Sequence, residues 1–185
     1  RHQATLIFDE VQCGVGRTGT LWAHEASGVT PDIMTLAKPL AGGLPIGAIL
    51  ATEAVASHIH PGDHGSTFGG GPLITTVAKH VLERVSQPEF LAHVSEVGEY
   101  LRERLEEINS PLVKEVRGRG LMIGLELTQD VSSIIEAGYE QGLLMVNAGP
   151  NVIRFVPPLV VQKEHVDQLV EKLAQIFSEK GEGIQ

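Results

Sequence analysis

Cysteine is all but missing from this sequence. Cys13 is the only one in 185 residues, so no internal disulfide can form, which fits a reducing compartment. Basic side chains are also in deficit, with 14 against 23 acidic ones and a formal charge of -9. That sign argues against a nucleic-acid or polybasic membrane surface, though a few local donors can still hold a small anion. No apolar run reaches the roughly 18 residues needed to span a bilayer. No basic, apolar leader opens the chain. It begins at Arg1 without a methionine and enters a strand almost at once, which reads as a chain lacking an upstream part and leaves targeting open. Internal repeats and low-complexity tracts are absent too.

What is present is a chain 42% hydrophobic, enough for a substantial core. Thr5 to Phe8 reads as a short buried strand, with Ile33 to Leu36 and Ile46 to Leu50 as two more. Glycine-dense stretches lie between them. That mixture predicts a layered α/β domain with its active residues in loops at strand ends. Leu73, Val77, Val81 and Val85 recur every four residues and predict a helix. The character changes near Ser86-Gln87-Pro88. Beyond it, Phe90 to Ile108 and Lys163 to Glu179 read as amphipathic helices. Ser132 to Gln141 is a shorter helix stopped by Gly142. Val113 to Val116, Leu121 to Leu127, Leu143 to Val146 and Val152 to Val156 read as strands, and Gly181 onward as a frayed tail. The expected division is a partial large domain with a connecting helix over residues 1–88, then a small α+β domain over 89–185.

Two residues carry most of the chemical signal. Lys38 follows the strand-like run Ile33-Met34-Thr35-Leu36 and precedes a turn rich in glycine and proline. Desolvation there would favour the neutral amine, the form that attacks a carbonyl. A solvated lysine capping a strand is an equally good reading from position alone. Asp9 shifts that balance, because Leu6-Ile7-Phe8 runs straight into it. An aldehyde cofactor of the pyridoxal phosphate kind needs an amine for its aldehyde, a carboxylate for its ring nitrogen and donors for its phosphate. Lys38, Asp9 and the loop Gly65-Ser66-Thr67-Phe68-Gly69-Gly70-Gly71 could supply the three. That loop has neither the Gly-x-Gly-x-x-Gly spacing of dinucleotide folds nor the Gly-Lys-Ser/Thr ending of a P-loop.

At this point the sequence resembles a known family. Phe8-Asp9-Glu10-Val11-Gln12-Cys13-Gly14-Val15-Gly16-Arg17-Thr18-Gly19 is similar to the cofactor segment of class III aminotransferases of the ornithine and acetylornithine type. Leu36-Ala37-Lys38-Pro39-Leu40-Ala41-Gly42-Gly43-Leu44-Pro45 resembles the segment carrying their cofactor-linked lysine, and His64-Gly65-Ser66-Thr67-Phe68-Gly69-Gly70 their phosphate loop. Arg117-Gly118-Arg119-Gly120-Leu121 and Val152-Ile153-Arg154-Phe155-Val156-Pro157-Pro158 resemble two small-domain segments. The resemblance covers nearly the whole chain, in the C-terminal half of the family pattern. It implies the fold type I architecture of pyridoxal-phosphate-dependent aminotransferases and the cofactor pyridoxal 5'-phosphate. Carried over, Lys38 is the cofactor-linked lysine and proton shuttle, and Asp9 the partner of the pyridine nitrogen. Gln12 neighbours the phenolic oxygen. Thr67 reaches the phosphate of a partner subunit's cofactor in a homodimer, Ser66 lines the same place, and Arg154 clamps the substrate carboxylate. Asn147-Ala148-Gly149 is closer to the acetylornithine branch. The implied reaction moves the terminal amino group of N-acetylornithine, or a similar ω-amino acid, to 2-oxoglutarate. The implied location is the cytoplasm or an organelle matrix or stroma.

Other residues receive plainer readings. Arg17 stabilises its own loop, Arg119 is structural, and Glu10 is either a supporting group or a solvated carboxylate. His58, His60 and His64 lack a carboxylate partner and do not suggest a metal site. Cys13 is a packing residue, and Trp22 and Phe68 either flank the cofactor or fill core. One departure from the family pattern stands out: Gly71 occupies the place of an asparagine after the paired glycines, which removes a side-chain anchor from the phosphate loop. The pattern also includes an upstream half that contributes strands, part of the phosphate cup and a ring-stacking aromatic residue. The expectation is therefore a missing segment or a complementary N-terminal chain, without which the polypeptide binds cofactor poorly. An aminomutase or decarboxylase using the same lysine, an inactive homologue and an interaction module are the competing readings.

Overall fold

The structure is a computed structural model that describes residues 4–67 and 69–181. The expectations for Phe68 and for the tail after Gly181 lie outside the described residues. The chain divides into two compact units, residues 1–91 and 92–185.

The first unit is organised by a mixed sheet in the order β1-β2-β3. Strand β1 is Ile7–Asp9, β2 is Ile33–Leu36 and β3 is Ala48–Ala51. β1 and β2 run parallel with Asp9 opposite Thr35, while β3 returns antiparallel to β2. The first strand starts two residues later than the apolar run suggests. Leu6 is held instead by Asp32, whose carboxylate accepts from the Leu6 amide at 2.8 Å and whose amide donates to the Leu6 carbonyl at 2.8 Å. A single 3₁₀ turn, Ala23–Ser27, lies in the β1–β2 crossover, and a short helix, α1 (Glu53–Ala56), follows β3. Helix α2, Pro72–Val85, opens with Pro72 in its first turn after Gly71. Proline suits that place because its missing N–H is one the helix could not bond anyway. The Gly71 carbonyl accepts from both the amide and the hydroxyl of Thr75, at 3.0 and 3.1 Å, so Gly71 serves as a helix start.

Helix α3, Pro88–Glu106, leads into the second unit. Its stripe of Val94, Val97, Leu101 and Leu105 is buried, as the helical spacing predicts. A four-stranded antiparallel sheet follows in the order β4-β5-β7-β6, made of Val113–Arg119, Met122–Leu127, Val152–Phe155 and Val146–Asn147. Along β5, Ile123, Leu125 and Leu127 are buried and alternate with half-buried residues, the period-two pattern of a sheet with one core face. Helix α4 (Ser132–Glu140) and helix α5 (Lys163–Gly181) neighbour each other. Asp167 of α5 receives the Tyr100 hydroxyl at 2.7 Å and the Arg104 guanidinium at 3.1 Å, tying α5 to α3.

One expected strand is corrected. Leu143 to Val146 is not a strand along its length; only Val146 and Asn147 pair with β7. The backbone just before them finishes helix α4 instead. Gly142 takes a positive φ of 75°, its amide bonds to the Tyr139 carbonyl, and the Leu143 amide turns back to the Gly138 carbonyl at 2.8 Å. That is a glycine-terminated helix end, and it uses donors a strand would have needed.

Candidate active site

Asp9 is the last residue of β1, and Lys38 stands two residues past the end of β2. Because these strands are adjacent and parallel, both residues emerge at the same sheet edge. Beyond Lys38 the chain turns at once: the Leu40 amide donates to the Ala37 carbonyl at 2.8 Å, and Gly42 to Pro39 at 3.1 Å. Buried Leu40 and Ala41 anchor that turn. The Lys38 side chain is exposed and forms no ion pair among the described residues. The expected burial of its amine is therefore not supplied by the described residues. The turn buries its apolar residues, Leu40 and Ala41, while Lys38 stays exposed.

The Asp9 carboxylate is held from two sides. Its Oδ1 accepts the Val11 amide at 3.0 Å and the Thr35 hydroxyl at 3.2 Å. Glu10 beside it is buried, which settles its role against a solvated carboxylate. Its Oε2 accepts from the Ala23 amide at 2.8 Å, and its Oε1 from the His24 amide at 2.9 Å and faces His24 Nδ1 at 2.7 Å. A buried carboxylate requires such partners. They staple the far end of the crossover loop to the end of β1. Gly14 packs so closely on Glu10 that a Cβ there would lie 2.9 Å from the Glu10 carbonyl and carboxylate oxygens. Val15, fully buried, takes a positive φ of 52°, rare for a β-branched residue and a local strain of about 1–3 kcal/mol that the stapled loop must hold. Arg17 in this loop is half-buried, and burial pushes its guanidinium below the usual arginine range. Cys13 points Sγ at the Asp9 carbonyl, 3.7 Å away. Burial, then the nearby Glu10 charge, push its thiol up, which disfavours the nucleophilic thiolate.

The remaining candidates are more scattered. Gln12 is exposed in the turn after Asp9. Ser66 and Thr67 are exposed in the loop before α2, and neither bonds to Asp9 or Lys38 among the described residues. Arg154 belongs to the second unit, on β7, paired across the sheet with Gly124 and Val146. It lines a cavity of about 350 Å³ with Met145, Val146, Phe155 and Pro157 among its walls. Among the described residues no group of histidine, cysteine and acidic side chains is placed to hold a metal. No described helix is long and apolar enough to cross a membrane. Thr35 was not singled out from the sequence. Its only signal there is a hydroxyl set among Ile33, Met34 and Leu36.

The fold is a mixed α/β arrangement in which Asp9 and Lys38 stand at the ends of neighbouring parallel strands. The chain belongs to the class III aminotransferases: the family model described as Aminotransferase class-III matches residues 1–177. It is 53% identical over 172 residues to a protein named probable acetylornithine aminotransferase, mitochondrial, of Dictyostelium discoideum, covering 89% of this chain and 38% of that protein. It is 54% identical over 175 residues to the acetylornithine aminotransferase, mitochondrial, of Alnus glutinosa, covering 92% of this chain and 38% of the relative. The solved N-acetylornithine aminotransferase of Stenotrophomonas maltophilia K279a superposes with a TM-score of 0.85 at 41% identity, over 96% of this chain and 48% of that one. An ornithine δ-aminotransferase of Plasmodium falciparum gives 0.90 at 34% identity over the same shares. The fold is thus that of the pyridoxal-phosphate-dependent aminotransferases, and the chain spans between two fifths and half the length of these relatives.

Proposed function

We propose that this chain is the lysine-bearing part of an aminotransferase that moves the terminal amino group of N-acetylornithine, or a similar ω-amino acid, to 2-oxoglutarate. Residues 1–88 form part of its cofactor-binding large domain and residues 89–185 its small domain. The observation that carries the reading is the meeting of Asp9 and Lys38 at one edge of a parallel strand pair. Those residues fit pyridoxal phosphate. The amine is accessible and not neutralised by an ion pair among the described residues, and the carboxylate is oriented by two donors. Bound there, the cofactor supplies an aldehyde that captures amines and an electron-poor ring that stores the electron pair of a broken C–H bond.

This chain's own residues do the rest. Asp9 would hold the ring nitrogen and keep it protonated. Lys38 would hold the cofactor at its aldehyde, and its free Nζ would carry a proton from the amine-bearing carbon of the substrate to the cofactor's aldehyde carbon. Gln12 bonds the phenolic oxygen. Arg154 grips the substrate carboxylate with two parallel bonds, which decides which carbon presents its hydrogen. Ser66 and Thr67 bind phosphate, Thr67 on a partner subunit's cofactor in a homodimer. The acetylated donor is favoured because the Dictyostelium discoideum and Alnus glutinosa relatives carry that name. An upstream segment, in the same polypeptide or a complementary one, completes the site and supplies the desolvation that Lys38 lacks. The reaction runs in the cytoplasm or in an organelle matrix or stroma.

The test uses the full-length protein. Lys38→Ala should abolish the visible absorbance of lysine-held cofactor and reduce transfer from N-acetylornithine to 2-oxoglutarate by at least about a thousandfold. A variant that kept both would overturn the assignment. Product analysis with ornithine in place of the acetylated donor separates the two branches.

A further inference from the structure

We infer that Thr35 is a positioning residue for Asp9, fixing one carboxylate oxygen so that the other is presented to the cofactor's ring nitrogen; this rests on the cofactor reading above. Asp9 and Thr35 are register partners at the end of β1 and β2. The Thr35 hydroxyl donates to Asp9 Oδ1 at 3.2 Å, and the Val11 amide donates to the same oxygen at 3.0 Å. Among the described residues Oδ2 carries no hydrogen bond. The two donors come from different elements, the neighbouring strand and the loop after β1, so together they restrict rotation of the carboxylate. That restriction is needed because the terminal torsion of an aspartate is broad and nearly two-fold by itself. Threonine suits the task. Its β-branch is stiff, it favours a strand, and its hydroxyl can both donate to a carboxylate and keep its backbone in the ladder. Within β2, Met34 and Leu36 are buried on one face, and Thr35 alternates to the other, half-exposed face. Packing alone would not require a hydroxyl there.

The experiment uses full-length protein with Thr35→Val, Thr35→Ser and Asp9→Asn, the first threonine variant also in the Asp9→Asn background. Two quantities are read: the dissociation constant for pyridoxal phosphate added to the cofactor-free protein, and the pH midpoint of the bound cofactor's visible band. Thr35→Val should weaken binding about fivefold to tenfold, the upper end of what an ordinary lost hydrogen bond costs. It should also raise the pH midpoint, because a ring nitrogen that loses its positive charge lets the lysine-linked nitrogen keep its proton longer. Thr35→Ser retains the donor and should restore both values. In the Asp9→Asn background Thr35→Val should add less than about twofold, since the carboxylate it serves is gone. The inference is overturned, with the cofactor reading intact, if Asp9→Asn weakens binding but Thr35→Val changes neither quantity, or if its full effect persists without the Asp9 carboxylate. If Asp9→Asn leaves binding unchanged, the cofactor reading falls and takes this inference with it.

Discussion

The two units are nearly equal in length but unequal in how they use their apolar residues. Among the described residues, the second unit buries 20 hydrophobic side chains, and the fully enclosed ones include Leu121, Ile123, Leu125, Leu127, Ile153 and Phe177. The first unit buries eight among its described residues, and leaves Ile49 72% and Leu73 75% exposed. Ile7 of β1 and Leu50 of β3 are exposed as well. Edge and face residues of this kind are normally covered. The second unit therefore carries its own core. The first carries the residues proposed for the chemistry, with hydrogen bonds around Glu10 and Asp9 ordering the end of its first strand. The contrast teaches that a strand edge can be locally well ordered while apolar residues of its own sheet stay exposed, in a chain less than half as long as the relatives it matches.

Paired truncations put this contrast to its hardest trial. Leu125 is fully buried on β5 between two neighbouring strands, so Leu125→Ala should cost about 2–5 kcal/mol of stability. Ile49→Ala on β3 should cost less than about 0.5 kcal/mol in this chain alone. Urea unfolding of both variants measures the difference. Equal losses would mean that Ile49 is covered by something in this chain. In the full-length protein the Ile49 cost should rise toward that of Leu125.

A second substitution separates the units through backbone spacing. Gly98 lies on α3, where a Cβ would sit 2.3 Å from the Gly120 carbonyl oxygen. Helix propensity alone would make Gly98→Ala stabilising by about 1 kcal/mol. The contact is with backbone, which cannot swing aside, so the net effect should be a loss of about 1–3 kcal/mol. Gly65, in the first unit, has nothing within 4 Å of such a Cβ, and Gly65→Ala should be close to neutral. A stabilised Gly98→Ala protein would show that α3 does not pack as described.

Much of this arrangement could be read before any coordinates. Strand β2 and helix α2 were legible because periodic apolar residues meet clear breakers, Pro31 and Pro39 around the strand and Gly71-Pro72 before the helix. Asp9 and Lys38 were legible as strand-end residues. A shared sheet edge could be expected from their chemistry, but the parallel pairing of β1 with β2 that produces it is a long-range fact the local pattern does not contain. Leu143 to Val146 misled because apolarity alone does not separate a strand from a helix end packing its last residues. Glu10 was ambiguous since its donors, Ala23 and His24, stand 13 and 14 positions away. The exposure of Lys38 ran against expectation because a strand's burial depends on what lies over it.

The smallest expected effect concerns charge, and it distinguishes the second unit's surface from its core. Glu126 on β5 accepts from Lys114 at 2.5 Å and from Arg117, and Asn151 donates to it at 3.3 Å; Glu115 shares Arg117. The Lys114 and Arg117 bonds, in that order, hold the Glu126 carboxyl below its ordinary value. A carboxyl lowered by folding adds stability in full above its unfolded value, roughly pH 4.5, and loses it as pH falls through the lower folded value. Glu126→Gln should therefore be less stable than the parent near pH 7, with the gap closing as pH falls toward about 3. Raising salt should shrink the gap at pH 7, because these partners lie at the surface where ions screen them. Thermal melts across pH and salt measure both trends. A gap that stayed constant with pH would assign the loss to packing or hydrogen bonding of the side chain, since a proton taken up by Glu126 would then have no bearing on the fold.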